Sequence, residues 1–208
     1  MGSGTPKQFL LLGDKPVIIR SIEKFLDFDS AIKLIVVVPA DHRSTWNELK
    51  EQYLPDQLIL STSGGPTRFQ SVSNGLKLIG DEGVTAIHDA VRPAVPVDCI
   101  QRAFKGAEKK GNAIVAVDLK DSIRQVDPEG FSQARDRSLF KVVQTPQVFD
   151  TKLLKRAYTQ PEKTVFTDDA SVIEELGVRL NLVEGDYRNL KITTAEDLQI
   201  AKLLDSER

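Results

Sequence analysis

Residues 33–38 read Lys33-Leu34-Ile35-Val36-Val37-Val38, and Pro39 follows them. This run is short, continuous and rich in β-branched side chains, which is typical of a strand that is buried on both faces of a sheet. Comparable apolar runs occur at 58–60, 84–88 and 113–117. The sequence therefore predicts a set of short, buried strands spread along the first half of the chain.

Amphipathic helices are predicted between these strands. Three stripes of apolar residues recur at helical spacing, and Pro16 suits the first turn of the first helix. The stripes consist of Val17, Ile18, Ile22, Phe25 and Leu26, then Val72, Leu76 and Ile79, then Cys99, Ile100, Ala103 and Ala107. Alternating strands and helices predict an α/β fold, a Rossmann-like three-layer sandwich with a mostly parallel sheet. Ligands of such sheets bind beyond the carboxyl ends of the strands.

The pattern changes between about 118 and 149. Two alternating runs, 122–126 and 140–144, flank the turn Asp127-Pro128-Glu129-Gly130. We interpret them as a hairpin-like β-arm that leaves the sheet, within a single domain that spans 1–208. Because exposed strand edges are usually covered, we expect a second subunit to pack on the arm and form a homodimer. Further on, 194–197 resembles a capping box that opens a C-terminal helix.

The overall charge argues against nucleic acid as a partner. The formal net charge of the 208 residues is −2, so the chain has no broad basic field to hold a phosphate backbone. Any nucleotide must therefore bind in a local pocket.

The cysteine and histidine counts indicate the cellular compartment and argue against one kind of metal site. Cys99 is the single cysteine, which excludes a disulfide within the chain and fits a reducing compartment. The two histidines, His42 and His88, are far apart in the sequence, which argues against zinc. No apolar run approaches the roughly 20 residues of a membrane span, and 1–6 lacks the features of a signal peptide. We therefore expect a cytoplasmic protein without a membrane contact.

Three clusters carry the residue types that phosphate chemistry needs. Gly2-Ser3-Gly4 with Lys7 suits a phosphate, although such a start also suits a flexible terminus. Ser63-Gly64-Gly65 leads into a helix whose N-terminus attracts anions, or else forms a plain connecting loop. His88-Asp89-Ala90-Val91-Arg92-Pro93 follows a strand. Its aspartate suits a metal and its arginine a phosphate, or the two form an ion pair that closes a turn.

Each of the remaining polar segments, when it is considered alone, is typical of an ordinary loop. Asp168-Asp169 is compatible with a metal pair, although carboxylates at the start of a helix are more often caps. The other segments are Asp121-Ser122, Arg137, Gln144-Thr145-Pro146-Gln147, Thr167 and Asn189-Leu190-Lys191-Ile192-Thr193.

Taken in order, these segments resemble the 2-C-methyl-D-erythritol 4-phosphate cytidylyltransferase family of the non-mevalonate isoprenoid pathway. The resemblance spans nearly the whole chain. It is carried by Pro6-Lys7-Gln8-Phe9-Leu10, Gly64-Gly65 with Arg68 and Ser71-Val72, 88–93, Asp121-Ser122, Gln144-Thr145-Pro146-Gln147 with Phe149, 167–170 and 189–193. It implies transfer of the CMP moiety of CTP to methylerythritol phosphate, with Mg²⁺ as cofactor.

The resemblance also implies roles for single residues. Lys7, Asp89 and Lys191 are implied to be catalytic, and Asp89 is implied to lie near Mg²⁺ and the ribose. The implied nucleotide-binding residues are Lys7, Gly64, Gly65, Ser71, Asp89 and Ala90. The implied sugar-phosphate contacts are Arg92, Ser122, Arg137, Thr167 and Lys191. In the family the β-arm crosses to the other subunit, so Ser122 and Arg137 would serve the neighbour's site.

The implied chemistry needs no general base. A phosphate oxygen of the acceptor attacks the α-phosphorus of CTP, and pyrophosphate leaves. The acceptor phosphate is largely dianionic at neutral pH because its second pKa is roughly 6. Positioning and charge neutralisation by lysine, arginine and Mg²⁺ then carry catalysis.

The sequence departs from the family pattern in two places. A strand and the loop Ala-Ala-Gly-x-Gly-x-Arg, with an arginine used in catalysis, normally precede the positions that match Met1-Gly2. We expect the sequence to be incomplete at its N-terminus, and we expect poor folding or no turnover from these 208 residues alone. Pro66 also replaces an acidic residue that is common in the family.

Two alternatives stay open on the sequence. One is a ribitol 5-phosphate cytidylyltransferase of the same family, although Asp136-Arg137-Ser138 and 167–171 look more like the erythritol branch. The other is a non-catalytic nucleotide-binding protein on the same fold, if the N-terminal glycine loop is truly absent.

Overall fold

The computed structural model describes residues 5–206, and within them the chain alternates between strands and helices. The strands are β1 (Leu11–Leu12), β2 (Lys15–Pro16), β3 (Leu34–Val38), β4 (Ile59–Ser63), β5 (Val84–Ile87), β6 (Asn112–Asp118), β7 (Ile123–Val126), β8 (Ser132–Arg135), β9 (Lys141–Asp150) and β10 (Leu182–Glu184). The helices are α1 (Val17–Phe28), α2 (Arg43–Tyr53), α3 (Arg68–Leu76), α4 (Val97–Lys110), α5 (Thr151–Ala157), α6 (Asp169–Glu174) and α7 (Ala195–Ser206). Short 3₁₀ turns lie at Lys7–Phe9, Ala40–His42 and Arg137–Leu139. The α/β class that the sequence predicts is therefore confirmed.

The strands form a mixed sheet and a separate parallel pair. The larger sheet has the order β10-β6-β9-β5, with β10 parallel to β6 and with β9 antiparallel to both β6 and β5. Strands β3 and β4 pair in parallel as a second, two-stranded sheet. Three strands of the larger sheet share one direction. Two of its three strand pairings are nevertheless antiparallel, because β9 returns from the arm between β5 and β6, so the sheet is mixed rather than mostly parallel as predicted.

The two faces of the larger sheet pack against different helices. On one face, Ala113, Val115 and Val148 join a buried cluster with Cys99 and Ala103 of α4. On the other face, Ile114 and Phe149 pack with side chains of α5 and α6. Successive residues of a strand point to opposite faces, so an almost entirely apolar β6 is buried on both sides. This is the burial that the continuous apolar run at 113–117 predicts.

The apolar stripes of the helices match the structure closely. All four predicted residues of α4 are buried, and the stripe of α1 is buried except for Leu26, which is partly buried. Helix α3 ends at Leu76, so Ile79 of the second stripe lies beyond it. Pro16 precedes α1 as its N-cap rather than entering the first turn.

The pairing predicted for the β-arm is wrong in one respect. Strand β7 pairs with β8 at 132–135, not with 140–144, around a turn in which Gly130 adopts a positive φ of 91°. The segment Ser132–Arg135 is polar and fully exposed, so no hydrophobic pattern marks it as a strand. The apolar run after 140 instead belongs to β9, whose second half is buried between β5 and β6.

The capping box predicted at 194–197 is present at the start of α7. The Asp197 carboxylate accepts hydrogen bonds from the backbone amides of Thr193 and Thr194, each at 2.8 Å, and the Asp197 amide donates to Thr194 Oγ1 at 3.2 Å. The hydrogen bonds from Thr193, followed by those from Thr194, lower the pKa of Asp197 to about 2. None of the helices described for residues 5–206 is both long and apolar enough to cross a bilayer.

The reactivity of Cys99 reports on the packing of α4 against the larger sheet. The side chain is 0% exposed, and burial raises the pKa of its thiol to about 11. The thiolate is the reactive form, so we expect native Cys99 to react with a chromogenic disulfide reagent at least ~100-fold more slowly at pH 7 than it does in urea. Equal rates in both conditions would show that α4 does not cover the sheet.

Candidate active site

The site is built around Asp89, in the loop that follows the carboxyl end of β5. Its carboxylate is 16% exposed and lies among three cations. Asp89 Oδ2 is 2.9 Å from Lys191 Nζ and 3.6 Å from Arg92 Nε, and Asp89 Oδ1 is 4.0 Å from Arg68 Nη2. We call these four residues the Asp89 cluster. Strand ends bring together residues from three distant parts of the sequence, as the rule for ligand sites in α/β sheets predicts.

The cluster keeps Asp89 ionised and leaves an excess of positive charge. Burial alone would raise the pKa of the Asp89 carboxyl, but Lys191, and then Arg68 and Arg92, hold that pKa below its usual range. Burial lowers the pKa of Arg92, and the charge of Asp89 opposes this shift. Three cations around one carboxylate suit a multiply charged anion such as a phosphate. The Asp89–Arg92 ion pair predicted as an alternative is therefore present, but as part of a larger cluster.

A chain of hydrogen bonds fixes the loop that carries Asp89. The Asp89 amide donates to Thr145 Oγ1 at 3.0 Å, and that hydroxyl lies 3.1 Å from His88 Nδ1. His88 Nε2 lies 3.3 Å from the Arg92 carbonyl oxygen, which can only accept. His88 Nε2 therefore carries the proton, and Nδ1 accepts the hydroxyl proton of Thr145. A neutral His88 fits this arrangement, because burial lowers the pKa of its ring to about 4.

Asn189 holds the second loop of the site. Its carbonyl accepts from Arg92 Nη1 at 2.7 Å, and its Nδ2 donates to the Thr145 carbonyl at 2.8 Å. The same Nδ2 contacts Gln144 Oε1 at 3.3 Å. Arg92, Lys191 and the Thr145 segment are thereby fixed to each other. Among the described residues, the buried side-chain atoms without a hydrogen-bond partner are Trp46 Nε1, Arg92 Nε and Asn189 Oδ1. Arg92 Nε instead faces Asp89 Oδ2 at 3.6 Å.

The glycine pair forms a tight loop before α3. The Gly65 amide donates to Ser71 Oγ at 3.0 Å, and the Gly64 amide donates to the Val38 carbonyl at 2.8 Å. A Cβ added at Gly65 would lie 2.5 Å from Cβ of Gln70, and one at Gly64 would lie 2.9 Å from Ser71 Oγ. Both positions therefore require glycine. The predicted nucleotide residues Gly64, Gly65 and Ser71 are in mutual contact.

Two more predicted residues lie beside this region. Lys7 Nζ donates to the carbonyl of Thr193, which places Lys7 next to the loop that carries Lys191. The Ala90 carbonyl accepts from Ser21 Oγ at 2.8 Å, which ties the Asp89 loop to α1. The Gly2-Ser3-Gly4 segment lies outside the described residues.

The structure separates the arm residues from the Asp89 cluster. Ser122 and Arg137 are exposed on the arm. Arg137 donates to the carbonyl of Lys120, and together with Asp118 they line an open cavity of about 450 Å³. Within the described part of the chain, neither Ser122 nor Arg137 has a hydrogen bond or ion pair to the Asp89 cluster.

The two adjacent aspartates, Asp168 and Asp169, have different roles, one as a helix cap and the other as an ion-pair partner. Asp168 accepts from the Ser171 amide at 2.9 Å and caps α6, as the cap interpretation predicts. Asp169 is fully buried against Arg68. Thr167 is exposed immediately before them.

The donor set for a metal is a single carboxylate. Across residues 5–206, no three His, Cys, Asp or Glu side chains lie together as a ligand set. Mg²⁺ is commonly bound through one or two carboxylates together with substrate phosphates. Asp89 therefore fits an ion that is held jointly with a nucleotide, but not one held by protein ligands alone.

Several residues that build the site have no role that the sequence alone indicates. Thr145, Asn189 and Gln144 belong to segments that carry the family resemblance, yet their contacts join loops more than 40 residues apart. Arg68 belongs to a segment that carries the family resemblance, and the sequence gives it no partner. Its carboxylate partner, Asp169, lies 101 positions away. No local pattern could have paired them.

Fold and site together define an α/β protein with three cations around one carboxylate beyond the carboxyl end of β5. The profile of the 2-C-methyl-D-erythritol 4-phosphate cytidylyltransferase (IspD) family matches residues 1–205. The chain belongs to this family.

Named relatives and solved structures align with nearly the whole chain. A 2-C-methyl-D-erythritol 4-phosphate cytidylyltransferase of Bacteroides fragilis is 47% identical, with 98% of this chain and 93% of the relative covered. One from Porphyromonas gingivalis is 41% identical, with 98% and 91% covered. The crystal structure of the enzyme so named from Thermus thermophilus has a TM-score of 0.79 at 29% identity, with 98% and 95% covered. The 4-diphosphocytidyl-2C-methyl-D-erythritol synthase of Anaerococcus prevotii has a TM-score of 0.86 at 26% identity, with 100% and 92% covered.

The neutral state of His88 makes stability depend on pH. Burial lowers the pKa of His88 to about 4 in the folded protein, against about 6.5 in the unfolded chain. The unfolded state therefore binds more protons between these values, and stability falls as pH decreases from 6.5 to 4, by at most about 3 kcal/mol. Urea unfolding in EDTA across this range should show a steeper loss for wild type than for His88→Asn, and parallel curves would contradict the assignment.

Proposed function

We propose that this chain transfers the cytidylyl group of CTP to 2-C-methyl-D-erythritol 4-phosphate, releases pyrophosphate and supplies isoprenoid precursor synthesis. The observation that carries the proposal is the Asp89 cluster, in which three cations surround one carboxylate at a strand end of a family member. A reaction between two phosphate-bearing substrates needs such an excess of fixed positive charge.

The nucleotide side of the site is assigned to the glycine loop and its neighbours. We propose that Gly64, Gly65, Ser71 and Ala90 help to form the cytidine site, with Asp89 near the ribose. The Gly64–Gly65 backbone is fixed by hydrogen bonds to Ser71 and Val38, so the loop can meet the base without first being ordered. Lys7 is assigned to the phosphates of CTP, since its ammonium already lies at the Thr193 carbonyl.

The acceptor side is assigned to two of the three cations of the cluster. Arg92 and Lys191 would bind the phosphate of methylerythritol phosphate, with Thr167 at the edge. Arg92 is anchored through Nη1 to the Asn189 carbonyl, and its Nε lies 3.6 Å from Asp89 Oδ2. The positive charge of Arg92, held in this place, supports a role in phosphate binding.

The chemistry follows from these positions. An oxygen of the acceptor phosphate forms a bond to the α-phosphorus of CTP, and the bond to the bridging oxygen of pyrophosphate breaks. The nucleophile carries its negative charge at neutral pH, so no side chain has to remove a proton. Lys7 and Lys191 neutralise charge that develops during transfer, and Asp89 holds Lys191 in place. Mg²⁺, held by Asp89 and phosphate oxygens, would supply further charge neutralisation when bound.

We further propose that the chain, as one domain over 1–208, works as a homodimer through the arm of about 118–149. The arm exposes large apolar side chains that a lone subunit leaves in water, including Phe131 at 71% and Leu139 at 80%. A partner would bury them. Ser122 and Arg137 would then complete the neighbour's acceptor site, which accounts for their distance from their own Asp89 cluster.

Two finer features belong to the same proposal. Helices on both faces of the larger sheet support a Rossmann-like three-layer sandwich. A single, buried and unpaired cysteine supports a reducing compartment such as the cytoplasm.

Replacement of Lys191 by methionine tests the site directly. In a protein whose measured mass shows that the glycine loop of the family is present, we expect wild type to release pyrophosphate from CTP, Mg²⁺ and methylerythritol phosphate, and Lys191→Met to lower kcat/KM about 10²- to 10³-fold. Lys202→Met, an exposed lysine on α7, is the matched control and should retain activity. The intact mass of each sample is recorded so that turnover is assigned to a chain of known length.

The same assay separates the competing functions. Ribitol 5-phosphate replaces methylerythritol phosphate in a parallel reaction, and faster turnover of the ribitol compound would overturn the acceptor assignment. Binding of CTP without pyrophosphate release by a protein of verified length would favour a non-catalytic nucleotide-binding protein.

The arm predicts a link between assembly and activity. We expect sedimentation equilibrium to show a dimer, and Leu139→Asp to shift it toward monomer with a parallel loss of turnover at low protein concentration. Leu58→Asp is the control, because Leu58 is 88% exposed away from the arm. Full activity in a monomeric Leu139→Asp protein would refute the shared site.

A further inference from the structure

Asp169 is a buried carboxylate to which neither the proposed reaction nor the family resemblance gives a role. It is the first residue of α6 and is 0% exposed. Its Oδ1 accepts from Arg68 Nη1 at 3.0 Å, and its Oδ2 accepts from Arg68 Nη2 at 2.5 Å. Tyr158 donates its hydroxyl to Oδ1 at 2.6 Å. A two-pronged arginine–carboxylate contact with a third donor is a geometry that fixes the guanidinium in direction as well as in position.

The guanidinium of Arg68 points from this anchor toward the reaction site. Arg68 is the first residue of α3 and follows the Gly64–Gly65 loop after two residues. Its Nη2, already bonded to Asp169, is also 4.0 Å from Asp89 Oδ1. One guanidinium therefore bridges a buried carboxylate and the carboxylate at the centre of the site. Burial opposes the charge of Arg68, yet Asp169, and then Asp89, raise its pKa above the ordinary value.

Helix α6 does not depend on this contact. Asp168, its cap, accepts from Gln147 Nε2 at 2.8 Å, and Gln147 Oε1 accepts from the Ala170 amide at 2.8 Å. Gln147 belongs to β9 and is 1% exposed. The sheet thus holds α6, and Asp169 projects from a fixed support. Loss of the Asp169 charge would free the Arg68 guanidinium from its two-pronged contact and from its fixed place between the glycine loop and Asp89, while Thr167 and α6 would stay in place.

We propose that Asp169 is a positioning residue of the transfer reaction, which acts through Arg68 to fix the nucleotide loop against Asp89. The inference rests on the proposed function, because the loop is assigned there to the nucleotide. It predicts an asymmetric effect: interactions with CTP depend on Asp169, and binding of the acceptor phosphate does not.

Steady-state kinetics of Asp169→Asn test this asymmetry. The amide keeps the size of the side chain but removes its charge and its two-pronged acceptor. We expect kcat/KM for CTP to fall about 10- to 100-fold, as a misplaced reacting group would cause. We expect KM for methylerythritol phosphate to stay within about twofold. Tyr158→Phe keeps the ring that stacks on Phe69 at 4.6 Å and should give a smaller change in the same direction.

A double variant decides whether Asp169 acts through Arg68. If it does, Asp169→Asn combined with Arg68→Gln should be no worse with CTP than Arg68→Gln alone, because coupled residues do not add. Multiplication of the two single effects would overturn the proposal. So would an Asp169→Asn protein with a lower melting temperature but unchanged kinetics, since that result would make the contact purely structural.

Two further measurements keep the test decisive. Asp98→Asn breaks the exposed Arg102–Asp98 ion pair and should leave the kinetics for CTP unchanged. If Asp169→Asn does not fold, Arg68→Lys replaces it, because lysine keeps the charge but loses the two-pronged contact, and an unchanged KM for CTP would then refute the proposal. A wild-type protein of verified length that shows no turnover would refute the proposed function itself. An active wild type whose variants keep unchanged kinetics for CTP would refute the positioning role alone.

Discussion

The site depends on one constraint, that the carboxylate of Asp89 stays ionised while three cations surround it. Without Asp89, Lys191, Arg92 and Arg68 would repel one another in a partly buried space, where charges interact more strongly than in water. Without the cations, burial would favour protonation of the carboxyl. Each side therefore needs the other, and the fold must bring them together from positions more than 100 residues apart.

The fold meets this constraint with neutral hydrogen bonds behind the charges. Thr145, in the central strand β9, accepts from the Asp89 amide and lies beside the His88 ring. Its carbonyl accepts from Asn189, whose own carbonyl anchors Arg92. A single strand segment thus holds both charged loops. Of the charged side chains, Lys191 and Arg68 remain partly exposed.

Much of the fold could be predicted from the sequence, because buried strands and amphipathic helices leave a pattern in neighbouring residues. The runs at 34–38 and 113–117 mark strands for this reason, and the stripe of α4 marks a helix. Strand β8 could not be predicted, since Ser132–Arg135 is exposed and polar. The residues of the site likewise divide into those that a local sequence pattern marks and those that it does not. Single motifs indicated Asp89, Arg92 and the glycine pair, whereas the Arg68–Asp169 contact depends on packing between α3 and α6, which no local spacing encodes.

The charge balance of the site also determines how it responds to its ligands. An arrangement with three cations and one anion stores repulsion that the packed loops must withstand, and bound phosphates relieve it. Any ligand that binds the folded state alone stabilises that state. Asp169 offsets part of the excess from the buried side without occupying the space in front of Asp89. The buried carboxylate therefore lowers the repulsion among the cations of the Asp89 cluster, while the more exposed side, at Lys191, keeps its positive charge.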